Sequence, residues 1–207
     1  MNVRMVGFLL AAVFSTHVFA TAQEPERLLY NGREYSLQTH PLAQYFVKNP
    51  EKRPKSTRTR TSLSRGYMAT FEMRNKELFL KDIHIFVYSS EGKPEKKSVL
   101  SEFLEGKTEM KIDWFSGVLT LPEGKRMDYV HAGYLSTYEK YRLIEIENGN
   151  FVREVKMHNE AYKKFFEEYR GTKEYHDAIC GCGKPDSISN QTFRDILNRQ
   201  EFAAFVF

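Results

Sequence analysis

The chain has 207 residues, of which 41% are hydrophobic, 28% charged and 14% aromatic. Its formal charge is +4, and losing Arg4 with a leader leaves +3, too little to argue for a nucleic-acid-binding surface. The roughly 185 residues that would follow a leader suit one domain with a core of its own.

The first residues carry the pattern of a secretory signal. Arg4 supplies the positive start, Met5 to Phe14 is an uncharged apolar run, and Ser15, Thr16 and His17 end it. Two small-residue cleavage sites follow, Val18-Phe19-Ala20 and Ala20-Thr21-Ala22. A membrane span needs about 20 apolar residues, twice the length of this run. No later run is long enough, and no cysteine stands near either cleavage site for a lipid anchor. The expectation is a signal peptide over 1–20 or 1–22, then one globular domain over 23–207, with 171–207 as a C-terminal extension. The mature protein is expected to be soluble and either periplasmic or secreted.

Leu28-Leu29-Tyr30 and Glu34 to Leu37 flank Asn31-Gly32, which predicts a hairpin on a type I′ turn. Pro41 to Val47 is expected to make one or two helical turns, closed before Pro50. Lys52 to Arg65 is polar and basic and reads as an exposed loop. Tyr67, Ala69, Phe71 and Met73 alternate onto one face of a strand that should pair antiparallel with Leu78 to Tyr88. Ser98 to Glu105 reads as a short helix ended by Gly106. Met110 to Trp114 and Val118 to Leu121 read as strands around a Ser116-Gly117 turn, with Pro122 and Gly124 marking the next loop. In Tyr138 to Ile146, Arg142, Ile144 and Ile146 share one face, opposite Tyr141, Leu143 and Glu145. Asn148-Gly149-Asn150 turns that strand into Phe151 to Met157. Asn159 is a candidate N-cap for a helix to Tyr169, with Gly171 near its end, and Ser189 or Asn190 for a last helix through Leu197. The sum is α+β: a mainly antiparallel meandering sheet built from hairpins, with a few short helices and a C-terminal helical segment.

Chemistry-bearing groups are few. Cys180-Gly181-Cys182 in an oxidising compartment points first to a disulfide, either local and strained or to another chain. The metal alternative takes His176, Cys180 and Cys182 as ligands, with Asp177 as a fourth. A hydrolytic alternative takes His131 with Asp113 or Glu139, but Gly-x-Ser-x-Gly and His-Glu-x-x-His are both missing. No cofactor motif is present. The basic loop, with Arg58, Arg60 and Arg65, and the Tyr-rich stretch, with Tyr134 and Tyr138, are the candidate partner-binding residues.

Three segments are distinctive as strings: Arg65-Gly66-Tyr67-Met68-Ala69-Thr70-Phe71-Glu72, Lys111-Ile112-Asp113-Trp114-Phe115-Ser116-Gly117 and Tyr129-Val130-His131-Ala132-Gly133-Tyr134-Leu135-Ser136-Thr137-Tyr138-Glu139. Together with Leu80-Lys81-Asp82-Ile83 they resemble a family of uncharacterised bacterial proteins. The resemblance spans Leu28 to Tyr169 and implies a shared fold without a mechanism. The Cys180 loop lies outside it. The leading expectation is a protein-binding module, inhibitor- or immunity-like, acting on another envelope or secreted protein. The hydrolase and the metal-handling protein are the alternatives.

Overall fold

The computed structural model describes residues 21–56, 60–88, 91–131, 133–180 and 187–199, with 178–180 described by their backbone alone. The expected leader at 1–20, Arg58, Cys182 and the side chain of Cys180 lie outside the described residues.

The strands are β1 (Glu26–Tyr30), β2 (Arg33–Leu37), β3 (Met68–Arg74), β4 (Glu77–Tyr88), β5 (Pro94–Ser98), β6 (Met110–Lys111), β7 (Gly117–Asp128), β8 (Thr137–Glu147) and β9 (Asn150–His158). The helices are α1 (Pro41–Lys48), α2 (Leu100–Leu104), α3 (Asn159–Arg170), α4 (Lys173–Cys180) and α5 (Asn190–Leu197). The fold is α+β. One sheet runs β2-β1-β3-β4-β9-β8-β7, with β5 and β6 also paired to β4. All pairs are antiparallel except β1 with β3, which breaks the simple meander. The joint between β4 and β9 is narrow, with Glu77 opposite Asn150. Beyond β2 the chain returns to β7: Gln38 N donates to Thr120 O at 3.0 Å, and Thr39 Oγ1 donates to Val118 O at 3.0 Å. No helix among the described residues is long and apolar enough to cross a membrane.

The turns follow their residues. Asn31-Gly32 and Asn148-Gly149 both hold positive φ at both positions, as a type I′ turn demands. At Gly149 a side chain is also excluded by space, since a Cβ there would stand 2.6 Å from Ile112 O.

Three expectations need correction. Met110 to Trp114 does not pair with Val118 to Leu121 around Ser116-Gly117. Only Met110–Lys111 is strand, and it pairs with β4. Pro122 and Gly124 do not open a loop but sit inside β7. β7 ends the sheet path, where a missing proline N–H is tolerated, and Gly124 takes φ +77° where the register slips between Glu123 and Arg126. Finally, His158 rather than Asn159 precedes α3. The Asn159 side chain instead donates to Tyr138 O at 2.7 Å, which ties the helix start to β8.

β8 divides the interior because its side chains alternate between two faces. Ile144 and Ile146 point into a core with Leu28, Leu37, Phe71, Ile83 and Phe115. Leu143 points the other way, into a second core where Val118, Val155 and Met157 meet Phe165, Phe193, Ile196 and Leu197 of α3 and α5. α3 and α5 each bury an apolar face there, so the second core depends on both helices.

Candidate functional site

The polar groups at one end of β1 converge. Alternation along β1 turns Glu26 inward with Leu28, and the Glu26 side chain is 0% exposed. Arg65 Nε lies 3.4 Å from Glu26 Oε1, and His40 Nδ1 lies 3.5 Å from the same oxygen. Neither approach is aligned as a hydrogen bond, so both Glu26 oxygens, His40 Nδ1 and Arg65 Nε are buried without a hydrogen-bond partner among the described residues. The Tyr134 ring sits 5.6 Å from that of His40. Its hydroxyl donates to Glu24 O at 3.1 Å and accepts from Arg65 Nη1 at 3.4 Å. Burial pushes the Tyr134 hydroxyl up to about 12, with Arg65 opposing and Glu26 reinforcing the shift.

This cluster underlies the loop that joins β7 to β8. Beyond Glu123 the two strands form a ribbon in which Gly124 to Asp128 are all exposed. Arg126 faces Tyr138, and Asp128 faces Thr137. The ribbon end carries large apolar side chains in water: Met127 and Tyr129 at 55% exposure, Leu135 at 59% and Val130 at 37%. The Arg126 guanidinium lies 4.7 Å from the centre of the Tyr129 ring. Glu139 accepts from Lys125 N at 2.8 Å, Ser136 Oγ accepts from Val130 N at 3.1 Å, and Asp128 accepts from Thr137 Oγ1 at 3.1 Å. The polar groups near the end thus hold the ribbon in shape, while the apolar ones face outward. Clustered exposed apolar side chains with polar neighbours are the pattern of an interaction site.

The residues singled out from sequence are distributed across the molecule. Arg65 and Tyr134 do meet, but inside the polar cluster instead of on a free surface, because the N-terminal segment with Glu24 and Glu26 packs over them. Arg60 stacks on Phe86 at 4.9 Å and pairs with Glu24 at 3.5 Å. Tyr138 packs edge-on against Tyr141. His131 is exposed, and its Nδ1 is bonded to Tyr129 Oη at 2.6 Å. Asp113 lies beside the β8–β9 turn, with its Cα next to Gly149, whereas Glu139 lies near the start of β8. At ~3.3 Å per strand residue the two acids stand about 25 Å apart. Among the described residues no hydrogen bond or ion pair joins His131 to either acid. His176 packs edge-on against Tyr175 and Asp177 pairs with Lys173, while the proposed cysteine ligands lie outside the described side chains. Among the described residues no group of three or more metal-ligating side chains converges.

A second buried carboxylate is structural. Glu145, also 0% exposed, accepts from Arg153 Nε at 2.7 Å and from Arg194 Nε at 2.5 Å. A shallow depression there is lined by these three residues with Val152 and Asn198. Its charges satisfy one another and fasten α5 to the sheet.

Sequence reasoning missed Glu26 and His40, although the inward phase of Glu26-Leu28-Tyr30 was a usable signal. It also missed Met127, Val130 and Leu135, because exposure of an apolar side chain is set by the tertiary fold. No protein-family model, curated protein or solved structure matches this chain. The functional reading therefore rests on the geometry of the ribbon end and the polar cluster behind it.

Proposed function

We propose that this chain is exported behind its signal peptide and works in the periplasm or outside the cell as a protein-binding module, inhibitor- or immunity-like. The observation that carries the reading is the end of the β7–β8 ribbon, where Met127, Tyr129, Val130 and Leu135 stand in water on a framework braced by its own polar groups. Tyrosine supplies contact area at low entropic cost, and burying it in a partner together with the apolar side chains around it removes that area from water. Arg126 beside Tyr129 adds a planar cation of the kind enriched at protein interfaces.

The test is affinity capture from the envelope and secreted fractions of the source cell, using the wild-type chain beside Leu135→Asp. The wild-type chain should retain one protein in stoichiometric amount, and Leu135→Asp should lose it while keeping the same melting temperature. Equal recovery by both chains, or recovery of nothing stoichiometric by the wild type, overturns the reading.

A further inference from the structure

The two candidate cleavage sites in the sequence differ by two residues, and the fold distinguishes them. Ala22 forms a parallel bridge with Gly133, in the loop at the ribbon end. Around that bridge, Gly133 N donates to Thr21 O at 3.3 Å and Gln23 N donates to Gly133 O at 3.0 Å. The Gln23 side chain is held on both its atoms. Its Nε2 donates to Thr61 O at 2.8 Å and to Thr21 O at 3.3 Å, while its Oε1 accepts from Ser64 N at 3.2 Å and Ser64 Oγ at 2.9 Å. Next along the chain, Glu24 N donates to Ser62 O at 2.7 Å, and Glu24 O accepts from both Arg65 Nη2 and Tyr134 Oη. Residues 21–24 thus join two segments far apart in sequence, the 60–65 turn and the loop at 131–134.

We propose that the leader is removed between Ala20 and Thr21, and that Thr21 and Ala22 are the outer part of a clasp that holds the ribbon-end loop. The step is hydrolysis by a signal peptidase. Water adds across the Ala20–Thr21 peptide bond, leaving a carboxylate on Ala20 and an ammonium on Thr21, and every bond described above survives it. Cleavage after Ala22 removes Thr21 O, the acceptor for both Gly133 N and one Gln23 Nε2 hydrogen, and removes the Ala22 bridge. It also places a free amine on Gln23 beside its own side-chain amide. N-terminal glutamine then cyclises, its amine bonding to Cδ and Nε2 leaving as ammonia, which removes the donor to Thr61 O and draws the carbonyl that Ser64 bonds into a lactam ring. The site assignment rests on the signal-peptide reading and is independent of what the ribbon end binds.

Two measurements decide it. Intact-mass analysis of the chain purified from the exported fraction should give a start at Thr21. A start at Gln23, open or cyclised, overturns the assignment, and a start at Met1 overturns the signal peptide itself. For the clasp, the chain beginning at Thr21 is compared with the chain beginning at Gln23 in limited proteolysis, with cleavage scored inside 129–136. Losing a part-buried hydrogen bond of ordinary strength shifts local opening by about fivefold, so the shorter chain should be cut there about fivefold faster. Equal rates within 129–136 overturn the clasp.

Discussion

Two glutamates of this fold are wholly buried, and they are partnered very differently. Glu145 has a guanidinium nitrogen on each oxygen, at 2.7 and 2.5 Å, from β9 and α5. Glu26 has an arginine and a histidine at 3.4 and 3.5 Å and, among the described residues, no aligned hydrogen bond to either oxygen. Burying a carboxylate costs several kcal/mol unless its lone pairs are met. The satisfied site locks a helix onto the sheet. The loosely paired site lies at the base of the loop that presents the ribbon end, joined to it through Tyr134. The two carboxylates thus differ in how well they are paired, not in how deeply they are buried.

The largest effect is expected where the satisfied site meets apolar packing. Phe193 is 0% exposed, packs edge-on against Phe165, and lies 5.4 Å from the Arg153 guanidinium. Phe193→Ala should lower unfolding free energy by about 3–5 kcal/mol in urea titration, and α5 amides should exchange faster before the rest of the chain opens. If the loss is below about 1 kcal/mol, α5 is not part of the cooperative unit. Glu145→Gln should come next, at about 2 kcal/mol, since each arginine loses a charge-assisted partner but keeps partial access to water. Glu26→Gln, measured in the same way, should cost about 1 kcal/mol, because there is no aligned bond to lose and Arg65 keeps Glu24 O and Tyr134 as acceptors. If Glu26→Gln proves the costlier of the two, the contrast between the sites collapses.

Much of the frame was legible in the sequence, for reasons that are local. Asn31-Gly32 and Asn148-Gly149 announced their turns because few residues accept two consecutive positive φ values. The split of β8 into Arg142, Ile144 and Ile146 against Tyr141, Leu143 and Glu145 was readable because each face packs a different core. What escaped was non-local. The parallel pairing of Arg27 to Leu29 with Thr70 to Glu72 joins strands about forty residues apart, and no pattern within either strand encodes it. Pro122 was misread because a proline breaks a central strand but is tolerated at the end of the sheet path, and strand order is not written in the strand itself. Arg65 looked like a surface cation because the carboxylate that draws it inward lies at position 26. Tyr134 looked like interface for the same reason, since its partners are Glu24 and Arg65.

The smallest expected effect tests whether Tyr134 truly belongs to the loosely paired site. Its hydroxyl is held up to about 12, against 10.0 when unperturbed, chiefly by burial. The folded state therefore grips this proton more tightly than the unfolded chain does. The stabilisation linked to it is complete below pH ~10 and is lost as the pH climbs from there towards about 12. Tyr134→Phe removes the titrating group. It also removes one hydrogen bond to Glu24 O, which still accepts from Arg65 Nη2 at 2.7 Å, so the cost at pH 7 should be about 0.5–1 kcal/mol. Tyr141, Tyr162 and Tyr169 are also shifted upward by burial, so the wild-type profile alone will not isolate one residue. The difference between wild type and Tyr134→Phe does isolate it, because the other tyrosines cancel. That difference should be flat from pH 7 to 10 and then fall between 10 and 12 through zero, since the rise from 10.0 to about 12 outweighs the single bond, leaving Tyr134→Phe the more stable chain near pH 12 in chemical denaturation. If it is flat across the whole range, Tyr134 is open to water in solution, and the polar cluster does not hold the base of the ribbon-end loop.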